Sequence, residues 1–286
     1  MRESSLRLPD GRTLAYAEHG DAGGAPVLFF HGLPGSRLTR HPDESVAAAA
    51  GIRLFTFDRP GYGRSTAKPG RRIADWASDV EQFARETALE RFAIVAWSGG
   101  APYALAVARA MREQVERVVL VAPLAPLAGT SAAHDLSPAL RRRVRVARRA
   151  PWLVGLSVSR DVRAFARDPQ RALDRAFAGA PACDRDVLAD DAIRGMYVES
   201  RTEAYRQGPR PLLQDALLYL RPWEFDVGDV GAPVRIFHGE LDQTIAPAHS
   251  RQLAALLPKH ESTFVAGEGH MLCLTRWEDV LRAAVG

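Results

Sequence analysis

Phe92-Ala93-Ile94-Val95-Ala96-Trp97-Ser98-Gly99-Gly100-Ala101-Pro102-Tyr103-Ala104-Leu105-Ala106 is the stretch on which the fold turns. Phe92 to Ala96 is short and apolar, as a buried strand is, and Ala101 to Ala106 has the alanine content of a helix. Between them sits one serine. Small residues at 96, 99 and 100 let the backbones of strand and helix approach closely, so the turn is tight. A serine hydroxyl is a weak nucleophile at neutral pH and needs a base beside it and N–H groups that receive negative charge. The N–H of Gly99 directly follows Ser98, and the helix beyond adds its positive end. The stretch departs from G-x-S-x-G at Ala96, and a Ser-Gly-Gly turn without chemistry would read the same way, so the flanking sequence decides.

Outward from this stretch, apolar runs alternate with helical ones. Runs at 13–17, 27–30, 52–57, 92–96, 118–121, 234–237 and 263–265 mostly end in Gly, Pro or Asp, as buried parallel strands do. Helices are expected at about 40–50, 73–89, 101–112, 245–257 and 276–285. The alternation predicts an α/β fold, a mostly parallel central sheet with helices on both faces. Regularity breaks between 128 and 228, where helical periodicity and seven prolines occur without a convincing strand. This predicts a core of residues 1–127 and 229–286 carrying an inserted helical cap at 128–228. Following the strand at 118–121, the insertion emerges at the ligand-binding end of the sheet and is placed to roof a site.

The strand at 27–30 runs into His31-Gly32-Leu33-Pro34-Gly35-Ser36, and that at 52–57 into Asp58-Arg59-Pro60-Gly61-Tyr62-Gly63-Arg64-Ser65. Together with the turn at Ser98, these loops resemble the α/β-hydrolase fold superfamily, in its serine esterase and proline-iminopeptidase-like branch. The resemblance covers nearly the whole chain. It implies that Ser98 is a nucleophile on an elbow, and that Leu33 and Gly99 form an oxyanion hole from their backbone N–H groups.

In this family an acid and then a base follow the serine. The strand at 234–237 ends in His238-Gly239-Glu240-Leu241-Asp242, and that at 263–265 leads to Gly267-Glu268-Gly269-His270. Asp242 is the expected orienting acid and His270 the expected base. Glu240 is the weaker competitor, because G-x-x-D after the strand selects Asp242. His31 reads as a brace for the oxyanion loop and His238 as a strand-end residue. His19, His41, His134, His249 and His260 have no motif around them and are expected at the surface. The loop from Asp58 to Ser65 reads as turn architecture, with Asp58 or Arg59 pairing locally. Trp97, Tyr197 and Trp223 are candidate walls of a substrate pocket; Trp152, Phe165, Phe177, Met196, Tyr205, Leu217 and Tyr219 compete for that role or for packing.

The 286 residues are 47% hydrophobic and 25% charged, which excludes disordered and fibrous classes. A net charge of +4 arises largely from arginines at 141–175. Without interleaved aromatic residues or a binding motif, they read as a solvated helix face, and no nucleic-acid partner is expected. No apolar run approaches the roughly 20 residues of a membrane span, and the N-terminus has no signal core, so a cytoplasmic protein without a membrane partner is expected. Cys183 and Cys273 suggest no disulfide framework. No cluster has metal-ligand spacing and no glycine loop matches a dinucleotide cradle, so neither metal nor cofactor is expected. A homodimer is an open expectation.

The expected activity is hydrolysis of a carboxylic ester in a small-molecule acyl substrate, through an acyl-enzyme on Ser98. A proline-iminopeptidase-like aminopeptidase is the main alternative, since His-Gly-Leu-Pro-Gly-Ser resembles that group's first loop. It would need a carboxylate for a free amino group. Glu199 and Glu203 are candidates, though both read more simply as surface charges. A lyase, a carbon–carbon hydrolase or a ligand-binding protein are further readings on the same fold.

Overall fold

Side chains alternate across a strand, and this chain uses the alternation to build two apolar layers. Leu28 and Phe30 face one layer and Val27 and Phe29 the other; Ile94 and Ala96 alternate in the same way with Ala93 and Val95. Strands buried on both faces need helices on both faces. The computed structural model describes residues 1–286 and shows this arrangement. The elements of the core are β1 (Arg2–Arg7), β2 (Thr13–Gly20), β3 (Ala25–Phe30), α1 (Ser45–Ala49), β4 (Ile52–Phe57), α2 (Trp76–Glu86), β5 (Phe92–Trp97), α3 (Ala101–Ala110) and β6 (Val115–Val121). Next come the helices α4 (Pro138–Arg149), α5 (Pro151–Arg167), α6 (Pro169–Phe177), α7 (Ala182–Val187), α8 (Asp191–Ala204) and α9 (Arg210–Leu218). The chain then returns to the core as β7 (Val234–Gly239), α10 (Ala248–Leu256), β8 (His260–Val265), α11 (Leu272–Thr275) and α12 (Trp277–Val285).

The eight strands form one sheet in the order β1-β2-β4-β3-β5-β6-β7-β8. The β1–β2 and β2–β4 pairs are antiparallel and the others are parallel. Chain order reverses at β3, which lies between β4 and β5. At such a switch point the loops leaving neighbouring strands diverge and open a crevice at the carboxyl ends. Here Phe30 pairs with Ala96, so His31-Gly32-Leu33 and Trp97-Ser98-Gly99 leave the sheet side by side. On one face α2 and α3 pack with Phe30, Phe57, Trp76 and Phe83. On the other, α12 packs Trp277 edge-on against Phe29 at 5.4 Å.

Several expectations need correction. β1 lies outside the expected strands, because the polar Arg2-Glu3-Ser4-Ser5-Leu6-Arg7 carries no apolar run; it is an edge strand with outward charges. The first helix is only Ser45–Ala49, since Asp43 turns the chain by accepting the Ser45 N–H at 2.9 Å. His19 and His249, expected at the surface, are buried. His19 bonds Thr56 at 3.2 Å, and His249 Nδ1 accepts the Ala125 N–H at 3.2 Å. Trp152, one candidate pocket wall, is instead 66% exposed. Between β6 and β7 the chain forms helices and turns, and the arginines of α4 face solvent. No helix is long and apolar enough to cross a membrane.

Candidate active site

Ser98 sits at the end of β5 with φ of +55°, a left-handed conformation that non-glycine residues adopt only when their surroundings impose it. Close packing imposes it here. A Cβ on Gly100 would fall 2.2 Å from the Phe30 carbonyl oxygen, so glycine is required where the start of the helix passes the end of β3. The Ser98 carbonyl accepts the Leu124 N–H at 3.2 Å. In a trans peptide unit this turns the Gly99 N–H the opposite way.

The structure brings Ser98, His270 and Asp242 together from the ends of three strands. His270 Nε2 lies 3.1 Å from Ser98 Oγ, and His270 Nδ1 lies 2.7 Å from Asp242 Oδ2. Asp242 is 4% exposed, and its Oδ1 accepts the N–H groups of Thr244 and Ile245 at 2.8 and 2.9 Å. Burial works against its charge, but His270 and the hydrogen bonds from His238 and His270 hold the carboxyl well below the usual range. For His270, burial favours the neutral ring, yet the charge and hydrogen bond of Asp242 outweigh it and raise the pKa above 6.5. His238 supports the acid from behind: its Nδ1 meets Ser250 Oγ at 2.6 Å and its Nε2 the Ile245 carbonyl at 2.8 Å. Glu240, the competing acid, makes neither contact of Asp242.

Leu33 follows Gly32 in the loop after β3, and Gly99 follows Ser98 in the elbow. A Cβ on Gly32 would lie 3.2 Å from the Ser98 Cβ, which places the loop after β3 directly against the serine. His31 Nδ1 meets the Gly32 carbonyl at 2.7 Å; burial, then the neighbouring Arg59 charge, keep the ring neutral, so this nitrogen donates. Arg59 also donates to the Gly32 carbonyl, at 3.2 Å, and to that of His31 at 2.6 Å. The bond to the Gly32 carbonyl fixes the Gly32–Leu33 peptide, whose N–H then points away from Arg59, and the bond to the His31 carbonyl fixes the peptide before it.

The loop from Asp58 to Ser65 reads as turn architecture with Asp58 or Arg59 pairing locally. Asp58 does accept the Arg64 N–H at 2.9 Å, but the Arg59 side chain has no local ion-pair partner. Instead it is fully buried and bonds Asp215, on α9, with Nη2 at 3.0 Å. Asp215 also accepts from Tyr62 at 3.0 Å, Tyr103 at 2.7 Å and Arg71. From the same segment, Tyr219 donates to the Gly99 carbonyl at 2.7 Å. The helical segment between β6 and β7 thus grips both the elbow and the loop after β3. Asp184, on α7, accepts the backbone N–H of His270 at 3.0 Å and of Met271 at 2.8 Å. Sequence gave no signal for Asp184 or Asp215, which look like ordinary helix charges.

Of the candidate pocket walls, Trp97 and Tyr197 meet edge-on at 6.1 Å, and the Trp97 ring lies 5.9 Å from that of His270. Trp97 Nε1 donates to the His270 carbonyl at 3.1 Å. Trp223 is buried and stacked on Phe225 at 5.6 Å. Glu203, read as a surface charge, is buried between Arg37 at 2.5 Å and Arg206 at 2.8 Å. Glu199 is exposed, with its carboxylate 3.8 Å from Arg40.

Residues 25–276 match the model of the family described as alpha/beta hydrolase fold. The chain belongs to the alpha/beta hydrolase fold family. Within it, the chain is 29% identical over 237 residues to a pimeloyl-[acyl-carrier protein] methyl ester esterase of Aromatoleum aromaticum, covering 80% of this chain and 85% of the relative. It is 31% identical over 124 residues to a proline iminopeptidase of Xylella fastidiosa, covering 40% of this chain and 37% of the relative. Several curated relatives of this alpha/beta hydrolase are matched, like the last, over less than half of their length. A crystal structure of an esterase from a Rhodococcus species superposes with a TM-score of 0.72 at 21% identity, over 99% of this chain and 98% of that one. At that identity the likeness is one of fold.

Proposed function

We propose that the protein is a serine hydrolase acting on carboxylic esters of small acyl substrates, with Ser98, His270 and Asp242 as a catalytic triad. The observation that carries this reading is the continuous line of hydrogen bonds from Ser98 Oγ through both nitrogens of His270 to the buried Asp242. Ser98 Oγ attacks the acyl carbon as His270 Nε2 takes its proton, and Asp242 stabilises the imidazolium. The N–H groups of Leu33 and Gly99 receive the charge that develops on the carbonyl oxygen. His270 then protonates the leaving alcohol, and an acyl-enzyme remains on Ser98. Water, deprotonated by His270, releases the acid and restores the serine hydroxyl. The esterase name of the Aromatoleum relative is consistent with this reading.

An aminopeptidase of the proline-iminopeptidase type is the second reading, favoured by the match to the Xylella protein. It needs a carboxylate free to bind the substrate's amino group. Of the two candidates, Glu203 is occupied by Arg37 and Arg206, and Glu199 is exposed beside Arg40. This supports the ester reading. The test compares p-nitrophenyl acetate with proline p-nitroanilide and maps a fluorophosphonate label by peptide sequencing. The ester reading expects faster turnover of the acetate and a label on Ser98; preferential cleavage of the anilide would replace it with the peptidase.

A further inference from the structure

Asp184 reaches the loop of the base from the helical insertion. Its residue is 1% exposed, and its two oxygens are divided between two consecutive backbone donors, Oδ2 on His270 and Oδ1 on Met271. A Cβ on Gly269 would lie 2.3 Å from Oδ1, so the approach depends on glycine. Asp184 has no ion-pair partner in the structure, and the two N–H groups hold the carboxylate in place of a cation. Bonds from N–H groups to an ionised acceptor are stronger than neutral ones and fix direction as well.

From the core, the loop that carries His270 is held by Trp97 Nε1 on the His270 carbonyl at 3.1 Å and by the Leu241 N–H on the Glu268 carbonyl at 2.9 Å; Asp184 ties it to the insertion. Gly267, at φ of +78°, and Gly269 give it wide conformational freedom. Asp242 aligns the imidazole ring, while the backbone from which that ring projects is anchored at its carbonyl by Trp97 of the elbow and at its N–H by Asp184 of the insertion. A second contact from the insertion reaches the same place: the Tyr197 hydroxyl donates to Met271 Sδ at 3.2 Å. Building on the serine-hydrolase reading, we propose that Asp184 is a positioning residue that suspends the His270 loop from the cap, so that the base lies in register with Ser98 only while the cap is seated. Displacing α7 would release two hydrogen bonds and let the ring swing from the serine. An error of about 1 Å at a reacting group can cost about 100-fold in rate.

Asp184 also acts through its charge. The groups facing His270 are Asp242 with His238 behind it, Asp184 from α7, and Ser98 and Trp97 from the elbow; Glu268 instead pairs with Arg276 at 3.1 Å and bonds Thr275. Asp184→Asn removes one of two anions beside the imidazolium and sets an amide donor against a backbone N–H. Gly269→Ala keeps the charge and displaces the carboxylate.

The experiment measures kcat and KM for p-nitrophenyl acetate across the neutral pH range in wild type, Asp184→Asn, Gly269→Ala and Ser98→Ala, with melting curves for each. Both loop variants are expected to lose about 10- to 100-fold in kcat with KM within about two-fold. In Asp184→Asn the acid limb of the profile moves to lower pH, because the imidazolium has lost a stabilising neighbour; in Gly269→Ala it stays. Folded variants of both kinds with wild-type kcat and pH profile would overturn the proposal, whatever their melting temperatures. A wild type that is inert, or no faster than Ser98→Ala, would instead remove the hydrolase reading on which it rests.

Discussion

Arg59, just beyond β4, and Asp215, on α9, pair at 3.0 Å with side chains 1% and 0% exposed. Such a pair is costly to break from one side, because an unpaired charge stays buried. Asp215 balances two arginines, Arg59 and Arg71, and accepts from two tyrosine hydroxyls. Asp215→Ala is therefore expected to destabilise the fold by about 3–5 kcal/mol, measured by urea denaturation. It should also lower kcat, since Arg59 would no longer hold the Gly32 carbonyl firmly. A loss below about 1 kcal/mol, the range of exposed pairs, would contradict this.

Asp242 carries a different prediction. Asp242→Asn leaves the volume at the acid unchanged but favours the wrong tautomer of His270, and should cut kcat by about 10³–10⁴-fold. Because the carboxylate holds the imidazole pKa above 6.5, the acid limb of the residual activity should also shift to lower pH. A pH–rate profile of the variant checks both; an unshifted limb with intact turnover would argue that Asp242 does not orient the base.

Fold stability should fall with acid in two stages. Burial holds His19 and His249 down at about 4, below their unfolded values of about 6.5. The unfolded chain binds more protons between those values, so stability declines as pH drops through that window. His31, also held below its ordinary value by burial, adds to this decline, whereas His270, with its raised pKa, contributes its stabilisation above that window, as pH falls through its folded value, and does not offset the loss below it. Below about pH 4 the paired carboxylates of Asp215 and Asp242 are protonated more readily in the unfolded chain, and their contribution is lost as well. Unfolding free energies from urea titrations at successive pH values should fall by a total on the order of a few kcal/mol. A flat profile between neutrality and mild acid would contradict the histidine part.

The residues that follow strands were legible in the sequence, and those contributed by the insertion were not. Ser98, Asp242 and His270 each come shortly after a run of branched or aromatic residues, and the order of serine, acid and base in the family the chain resembles points to them there. The polar β1 lacked such a run. Asp184 and Asp215 stand on helices among many charged neighbours, and only folding separates the two that turn inward. Arg59 was misread because its partner is 156 residues away. His19 and His249 were misread because one polar side chain in an apolar element can be buried once it finds a hydrogen-bond partner.

Ser98→Ala tests the central claim most directly. Hydrolysis of p-nitrophenyl acetate by this variant, with its circular dichroism and melting temperature matched to wild type, should fall by about 10⁴-fold or more, and fluorophosphonate labelling should disappear. Unchanged turnover in the folded variant would contradict the assignment of Ser98 as the nucleophile.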